Sequence, residues 1–425
     1  MQRDIALKLL NDAMSDSGLN EEESHKLFLK LETLAEYKYN SYEMFRPGRL
    51  FLENLYVWLS QFNKSEKRVA LEFALEQIVF VSRKEMHQLA ARLYNDIVRT
   101  TLRDSVAKIL SIPPYKVNTI VSSEEFKILH RATLFLAMSD GARVDYFRRQ
   151  NMEIVNEQIV PYYLVSRGKW QKMQDDLAHD ISDRSARFKY VFLLDDFCGS
   201  GRTFIREQAE IEFDEIDSLP DIPLHLQAVV QFDRPKRKML LKSEGLPEAG
   251  VQEMIRNLSD SSKYRAAIEK LLTLKRNNDV TYVGSFEKLM MEEDFRKILD
   301  PGAKIFYSPL LMTEFARRRL DTLITRQAGI SKIGDLVVRP ACTIPDSIRI
   351  SKDSAPISTL CENYYRQNMG DEHTGDVKYG YIGCGLPLVM HHNTPNNSIF
   401  LLWQGREESF EPLFIRYERH GREMI

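Results

Sequence analysis

Tyr190-Val-Phe-Leu-Leu-Asp-Asp-Phe-Cys-Gly-Ser-Gly-Arg-Thr-Phe204 is the stretch on which the reading of this chain turns. The apolar run Tyr190–Leu194 reads as a buried strand, and it ends in two adjacent carboxylates, Asp195 and Asp196. A loop of small residues and hydroxyls follows, then a predicted helix over 204–211. Gly199 and Gly201 let the backbone turn tightly and bring N–H groups close to an anion. Ser200 and Thr203 add hydroxyl donors, and a helix N-terminus would add the positive end of its dipole. Together these make a phosphate cradle. The carboxylates do not suit a phosphate, but they accept hydrogen bonds from a vicinal diol. A ribose 5-phosphate carries both groups, about one sugar apart. The bland alternative is an ordinary strand–turn–helix with a solvated Asp pair.

Outward from this segment the pattern keeps alternating. Strand-like runs stand at Thr133–Met138, Val160–Val165, Leu224–Gln231, Val280–Val283 and Lys304–Phe306, with helix-like stretches between several of them. Such alternation predicts an α/β fold with a mostly parallel sheet flanked by helices. Thr133-Leu-Phe-Leu-Ala-Met-Ser-Asp-Gly-Ala-Arg143 reads as strand, Asp-Gly turn and the start of a helix over 144–149. A turn of this kind is common by itself. Ser166-Arg-Gly-Lys-Trp-Gln-Lys172 opens a polar stretch running to Arg187. It reads equally as a charged exposed loop.

The first 125 residues read as helical. Leu27, Phe28, Leu31, Leu34 and Ala35 form a stripe of helical period, as do Leu52, Leu55, Tyr56 and Leu59, and Ala70, Phe73, Ala74 and Ile78. Ser65 and Ser82 read as N-caps, the second with Glu85 at the capping-box position. Pro113-Pro114 closes the region. The tail, Gly380 to Trp403, returns to strand-like runs at Leu386–Val389 and Ile399–Trp403. Between them lies a polar loop with His391, His392, Asn393, Thr394, Asn396 and Asn397. Its amides can read a base edge or a sugar hydroxyl, which makes Asn393, Asn396 and Asn397 substrate-recognition candidates. They can also simply make turns. The resulting division is a helical domain over 1–125 and an α/β domain with a C-terminal extension over 126–425.

Composition sets the outer bounds. The chain has 425 residues, 59 Lys and Arg against 61 Asp and Glu, and 43% hydrophobic residues. A net charge of −2 excludes a chain-wide electrostatic grip on nucleic acid. Local basic clusters at Arg234–Lys238 with Lys242, and at Arg317–Arg319 with Arg326, leave a local contact open. No apolar run approaches membrane-spanning length. Met1-Gln-Arg-Asp4 lacks a leader's apolar core, and the four scattered cysteines form no CxxC, so a reduced, cytoplasmic chain is expected. His373, His391 and His392 lack partners at metal-ligand spacing, so no direct metal site is expected. Cys198 reads as a packing residue, since no base stands near it in the motif.

Asp195-Asp-Phe-Cys-Gly-Ser-Gly-Arg-Thr203 resembles the phosphoribosyl-diphosphate signature of type I phosphoribosyltransferases. The resemblance implies that Asp195 and Asp196 hold ribose hydroxyls and that Gly199, Ser200, Gly201, Arg202 and Thr203 hold the 5-phosphate. It implies a diphosphate loop at Ser139, Asp140, Gly141 and Arg143, and a mobile basic loop with Lys169, Arg167 or Lys172 closing over it. It also implies Mg²⁺. One departure stands out: purine-type members carry an acidic residue at the position of Gly199. With the tail loop included, the chain resembles more closely the phosphoribosyltransferase-like proteins of bacterial conflict systems, among them effectors of retron anti-phage loci. That implies an effector held by a reverse transcriptase with its msDNA and by a helix-turn-helix protein. It would transfer or cleave a ribosyl linkage, or serve without catalysis as a nucleotide sensor or docking subunit.

Overall fold

The computed structural model describes residues 3–212, 229–233, 237–241, 263–277, 281–327, 336–351, 353–354, 356–369, 378–404 and 410–416. The chain is a mixed α/β protein of two compact units, each discontinuous in sequence. One gathers Met1–Arg83, Glu207–Thr281 and Ser347–Ile425; the other gathers Lys84–Arg206 and Tyr282–Asp346. No helix among the described residues is long and apolar enough to cross a membrane.

The second unit holds the parallel sheet. Its strands are numbered here in chain order: β1 (Thr133–Ala137), β2 (Ile159–Pro161), β3 (Phe188–Cys198), β4 (Leu299–Thr313), β5 (Leu336–Val338) and β6 (Cys342–Ile344). They run in the order β5-β4-β3-β1-β2, β6 also pairs with β4, and every pairing is parallel. β3 lies between β1 and β4, with Leu194 opposite Ala137 and Asp195 opposite Pro309. A central parallel strand is buried on both faces, which is why 190–194 is continuously apolar. On one face Leu134, Leu136, Val191, Leu193 and Ile305 pack with Trp170, Met173 and Leu177. On the other, the rings of Phe135, Phe192 and Phe306 stack in a row across three strands, 5.7 and 4.7 Å apart.

Three expectations for this unit are corrected. The predicted helix over 204–211 does not form. Residues 201–205 are turns and bends, and short strands follow at Arg206–Gln208 and Glu210–Glu212. The carbonyls of Thr203 and Phe204, which a helix would need, accept instead from the N–H groups of Ser285 (3.0 Å) and Phe286 (3.1 Å). The basic stretch after Ser166 is the helix Arg167–Asp180, not a loop. Trp170, Met173 and Leu177 stand at i, i+3 and i+7 and anchor it in the core. The run at 160–165 keeps strand form only to Pro161, then turns as a short 3₁₀ helix, Tyr162–Leu164.

In the first unit the helical stripes form the helices Glu21–Tyr37, Phe51–Ser60 and Lys64–Glu76. Asn63, not Ser65, caps the last of these, in a reciprocal box with Glu66. Phe51, Trp58 and Phe73 share one core with Phe400, Leu401 and Phe414 of the tail. Val79–Val81 pairs in parallel with Leu388–Met390. The tail run at 399–403 is a correction too: Phe400–Trp403 is a single helical turn. Ile399 to Leu402 are all buried, so the run carries no period that separates strand from helix. Strands Glu210–Glu212, Val230–Asp233 and Lys238–Leu241 form an antiparallel sheet whose apolar cluster includes Ile268 and Leu271. Residues 224–228, 234–236 and 242, on which two expectations partly fell, and His373 lie outside the described residues.

Gly284 fixes the path of the loop that follows β3. Its φ is +142°, and a Cβ there would stand 2.3 Å from the Phe204 carbonyl oxygen. Gly284→Ala is therefore expected to cost about 2 kcal/mol or more, read as a lower denaturation midpoint. Gly168, near the start of its helix with open space around it, is the control. Gly168→Ala should leave stability unchanged or raise it by up to about 1 kcal/mol; equal effects at the two positions would refute this account.

Candidate functional site

From β1 the chain steps outward to β2, then returns to place β3 on the other side of β1. That reversal is the switch point at which open α/β sheets form a crevice beyond the strands' carboxyl ends. The loops after β1 and β3 flank it, and they are the two segments singled out in the sequence. Met138 N–H donates to the Leu194 carbonyl at 2.9 Å, so pairing continues up to the loops.

The loop after β1 closes directly on the acidic pair. Ser139 Oγ donates to Asp195 Oδ1 at 2.6 Å. Asp140–Ala142 then forms a single 3₁₀ turn. Gly141 lies so near Asp196 that a Cβ would stand 2.5 Å from its Oδ2. A side chain at this position would force the Asp196 carboxylate to move. Arg143 is left-handed (φ 45°, ψ 53°), and its guanidinium lies 5.4 Å from the centre of the Tyr146 ring. A non-glycine residue in this region is strained backbone, held by what surrounds it.

The loop after β3 is pinned from two sides. Thr313 Oγ1 donates to the Gly199 carbonyl at 2.6 Å and accepts from Ala316 N–H at 3.0 Å, so one hydroxyl holds the loop and caps the helix Glu314–Gln327. Gly201 has φ +69°, and a Cβ there would press on Leu320 at 3.0 Å. Ile205 N–H closes the turn onto the Gly201 carbonyl at 2.9 Å, and Arg319 donates to the Ile205 carbonyl at the same distance. Among the described residues, the backbone N–H groups of Ser200, Thr203 and Phe204 make no hydrogen bond. The cradle thus offers peptide donors but no helix dipole.

The structure brings Ser139, Gly141, Asp195 and Asp196 into contact and sets the 199–203 loop at the end of the same strand. Asp140 and Arg143 belong to the same turn, and the remaining candidates are carried by other elements. Lys169 and Lys172 lie on the 167–180 helix, and Arg167 pairs with Asp294 at 3.3 Å. Asn393, Asn396 and Asn397 belong to the first unit. The Asn397 amide donates to Cys384 Sγ at 3.2 Å, Asn393 Oδ1 accepts from Thr394 N–H at 2.9 Å, and the Asn396 carbonyl accepts from Tyr381 N–H at 2.6 Å. His391 is buried with its Nε2 3.7 Å from Glu43 Oε1. In the Arg317–Arg319 cluster, Arg318 pairs with Asp346 and Arg317 with Asp321.

Tyr307 escaped the sequence reading. It lies on β4, its hydroxyl donates to Asp195 Oδ2 at 3.1 Å, and its ring stacks on Phe204 at 3.7 Å. The one available signal was a pair of hydroxyls, Tyr307 and Ser308, inside the otherwise apolar run Ile305–Met312. Burial raises the Tyr307 phenol well above its ordinary range and pushes the Cys198 thiol up to about 12. Cys198 is therefore a packed thiol, not a nucleophile.

Burial, and then the neighbouring Asp196 carboxylate, hold the Asp195 carboxyl above the ordinary carboxylate range. The folded chain consequently binds more protons than the unfolded chain between those two values. Stability from this group is full below the unfolded value and is lost as pH rises through the folded one. The melting temperature should fall between about pH 5 and pH 8, and it should fall less steeply in Asp195→Asn. Identical slopes in the two proteins would refute the assignment.

A search of curated proteins and a search of solved structures each found no match. A family model described as PRTase-CE does match, over residues 56–416, a span that takes in both loops, the acidic pair and Tyr307. The chain belongs to the PRTase-CE family of phosphoribosyltransferase-like proteins.

Proposed function

We propose that the crevice between the 139–143 and 199–205 loops binds phosphoribosyl diphosphate or a related ribosyl phosphate, and that the protein transfers or cleaves a ribosyl linkage. The observation that carries this reading is the meeting of an acidic pair, a glycine turn pressed on Asp196 and an unpaired set of peptide donors at one switch point. The acidic pair lies against the ribose. The N–H groups of Ser200, Thr203 and Phe204, with the Thr203 hydroxyl and Arg202, take the 5-phosphate. The turn from Ser139 through Asp140 and Gly141 to Arg143 lies against the diphosphate. Lys169 stands as a further cation of the site on this reading.

Mg²⁺ fits this donor set. No group of three or more metal-ligating side chains occurs among the described residues. Mg²⁺ commonly takes one or two carboxylates and completes its shell with water and substrate phosphates. Asp195 and Asp196 are the groups that would hold it, and its chemistry there is neutralisation of diphosphate charge.

A sensor without catalysis is the second reading, and Gly199 favours it. Its carbonyl is held by Thr313, and no side chain at that position can exchange a proton with a base. On either reading the protein acts as a defence effector with a reverse transcriptase, its msDNA and a helix-turn-helix protein. This rests on the motif resemblance, with Asn393, Asn396 and Asn397 reading the target. A gene neighbourhood without a reverse transcriptase would remove that support.

Calorimetry with phosphoribosyl diphosphate and Mg²⁺, followed by mass spectrometry for turnover, tests the site. Binding with turnover is expected; binding alone supports the sensor. The double variant Asp195→Asn with Asp196→Asn should lose at least about 100-fold in affinity or activity while keeping its fold. Gly141→Ala, which displaces the Asp196 carboxylate, should lose about tenfold. Unchanged binding in the double variant would sink the proposal.

A further inference from the structure

Arg143 holds a backbone conformation that suits glycine, yet it carries a long side chain. Its φ of 45° and ψ of 53° are left-handed, a region that a residue with a Cβ enters only at a cost. Two positions earlier the same turn does place a glycine, Gly141, against Asp196. The backbone at Arg143 is fixed from both sides. Ala142 N–H donates to the Ser139 carbonyl at 3.3 Å and closes the turn. The Arg143 carbonyl accepts from Tyr146 N–H at 2.8 Å and from Phe147 N–H at 3.3 Å, which starts the helix Val144–Gln150. Phe147 is buried, with its ring 5.5 Å from that of Phe135 on β1. A glycine would follow the same path with less strain, so the path does not account for an arginine.

What the arginine adds is its contact with Tyr146. Its guanidinium lies over the Tyr146 ring, 5.4 Å from the centre, within the range of a cation–π contact. The Tyr146 ring in turn meets the His87 ring at 4.6 Å and 72°, edge to face. His87 stands on a different helix, Arg83–Arg92. Its Nε2 is buried and makes no hydrogen bond among the described residues, so what this histidine offers Tyr146 is its ring. His87, Tyr146 and Arg143 thus form a row of planar groups that ends at the loop after β1. An arginine that lies over an aromatic ring loses side-chain freedom while keeping its edge N–H donors for an anion.

We propose that Tyr146, braced by His87, is a positioning residue that presents the Arg143 guanidinium to the diphosphate of the ligand, and that the left-handed strain at Arg143 is tolerated for that purpose. The inference rests on the ribosyl-phosphate reading and deepens it. It gives the site a preference for a ribosyl diphosphate over a bare sugar phosphate, and it assigns that preference to the aromatic row. Tyr146 acts through Arg143 and not on the ligand itself.

Calorimetry on the full chain with two probes, phosphoribosyl diphosphate and ribose 5-phosphate, each with Mg²⁺, tests the proposal. The wild type should bind the diphosphate at least about tenfold tighter. Tyr146→Leu should lower that ratio about three- to fivefold, and His87→Ala should lower it by less. Tyr146→Met stands in should the leucine variant not fold. Tyr146→Phe keeps the ring and should hold the ratio within about twofold of the wild type. Arg143→Gly should remove most of the ratio, while its melting temperature stays level with the wild type or rises. A clear fall in that melting temperature would show an arginine kept for the fold, and it overturns the proposal. So does a ratio that Tyr146→Leu leaves unchanged, or one that Tyr146→Phe lowers as much. A wild type that binds both probes equally overturns this inference and leaves the ribosyl-phosphate reading standing. A wild type that binds neither overturns both.

Discussion

The Asp195 carboxylate is the joint on which the carboxyl end of the sheet depends. β1, β3 and β4 are held side by side by backbone pairing, but pairing alone fixes strands, not the loops beyond them. At Asp195 one side chain from the middle strand receives a hydroxyl from the loop after β1 and another from β4. Burying a carboxyl is unfavourable, and the three donors around it are what make its position tolerable. The chain keeps an acidic group there at the expense of stability as pH rises. That is the pattern of a group retained for a site rather than for a core.

The path of the loop after β3 follows from competition for carbonyls. A helix beginning near Thr203 would need the Thr203 and Phe204 carbonyls for its own turn. The N–H groups of Ser285 and Phe286 take them instead, at a glycine whose absent Cβ permits the approach. The loop therefore stays irregular, and the N–H groups of Ser200, Thr203 and Phe204, which the first turn of a helix would also have left open, stand without a helix behind them. An anion here would meet individual N–H groups, and its affinity would depend on their geometry, not on a macrodipole.

Legibility in the sequence tracked the range of the interactions. β3 and β1 were readable because central parallel strands are apolar throughout, and the acidic pair and glycine turn stood out at their ends. The parallel α/β class followed from the alternation. Helices with a one-sided stripe, such as Glu21–Tyr37, were readable from the period of that stripe. What failed depended on distant partners. Ser285 and Phe286 decide the form of 203–211 from about 80 positions away. The charged helix at 167–180 was masked because its three buried anchors are diluted by polar residues. Tyr307 was invisible because its meaning lies in Asp195, 112 positions earlier. Ile399–Leu402 is buried all round, so nothing in it distinguishes strand from helix.

The proton balance of the site constrains any chemistry it performs. Cys198 and Tyr307 are raised by burial out of the range in which they exchange protons near neutrality, while Asp195 is raised toward it. With two carboxyls in contact, the pair prefers a single negative charge, because two would repel at short range in a poorly solvated place. A ligand that brings positive charge, whether a cation or a ribosyl centre losing its leaving group, favours loss of the shared proton. A bare phosphate in the 199–203 cradle does the reverse. A change of charge on the acidic pair would thus be felt first at the Ser139 and Tyr307 hydroxyls that meet Asp195.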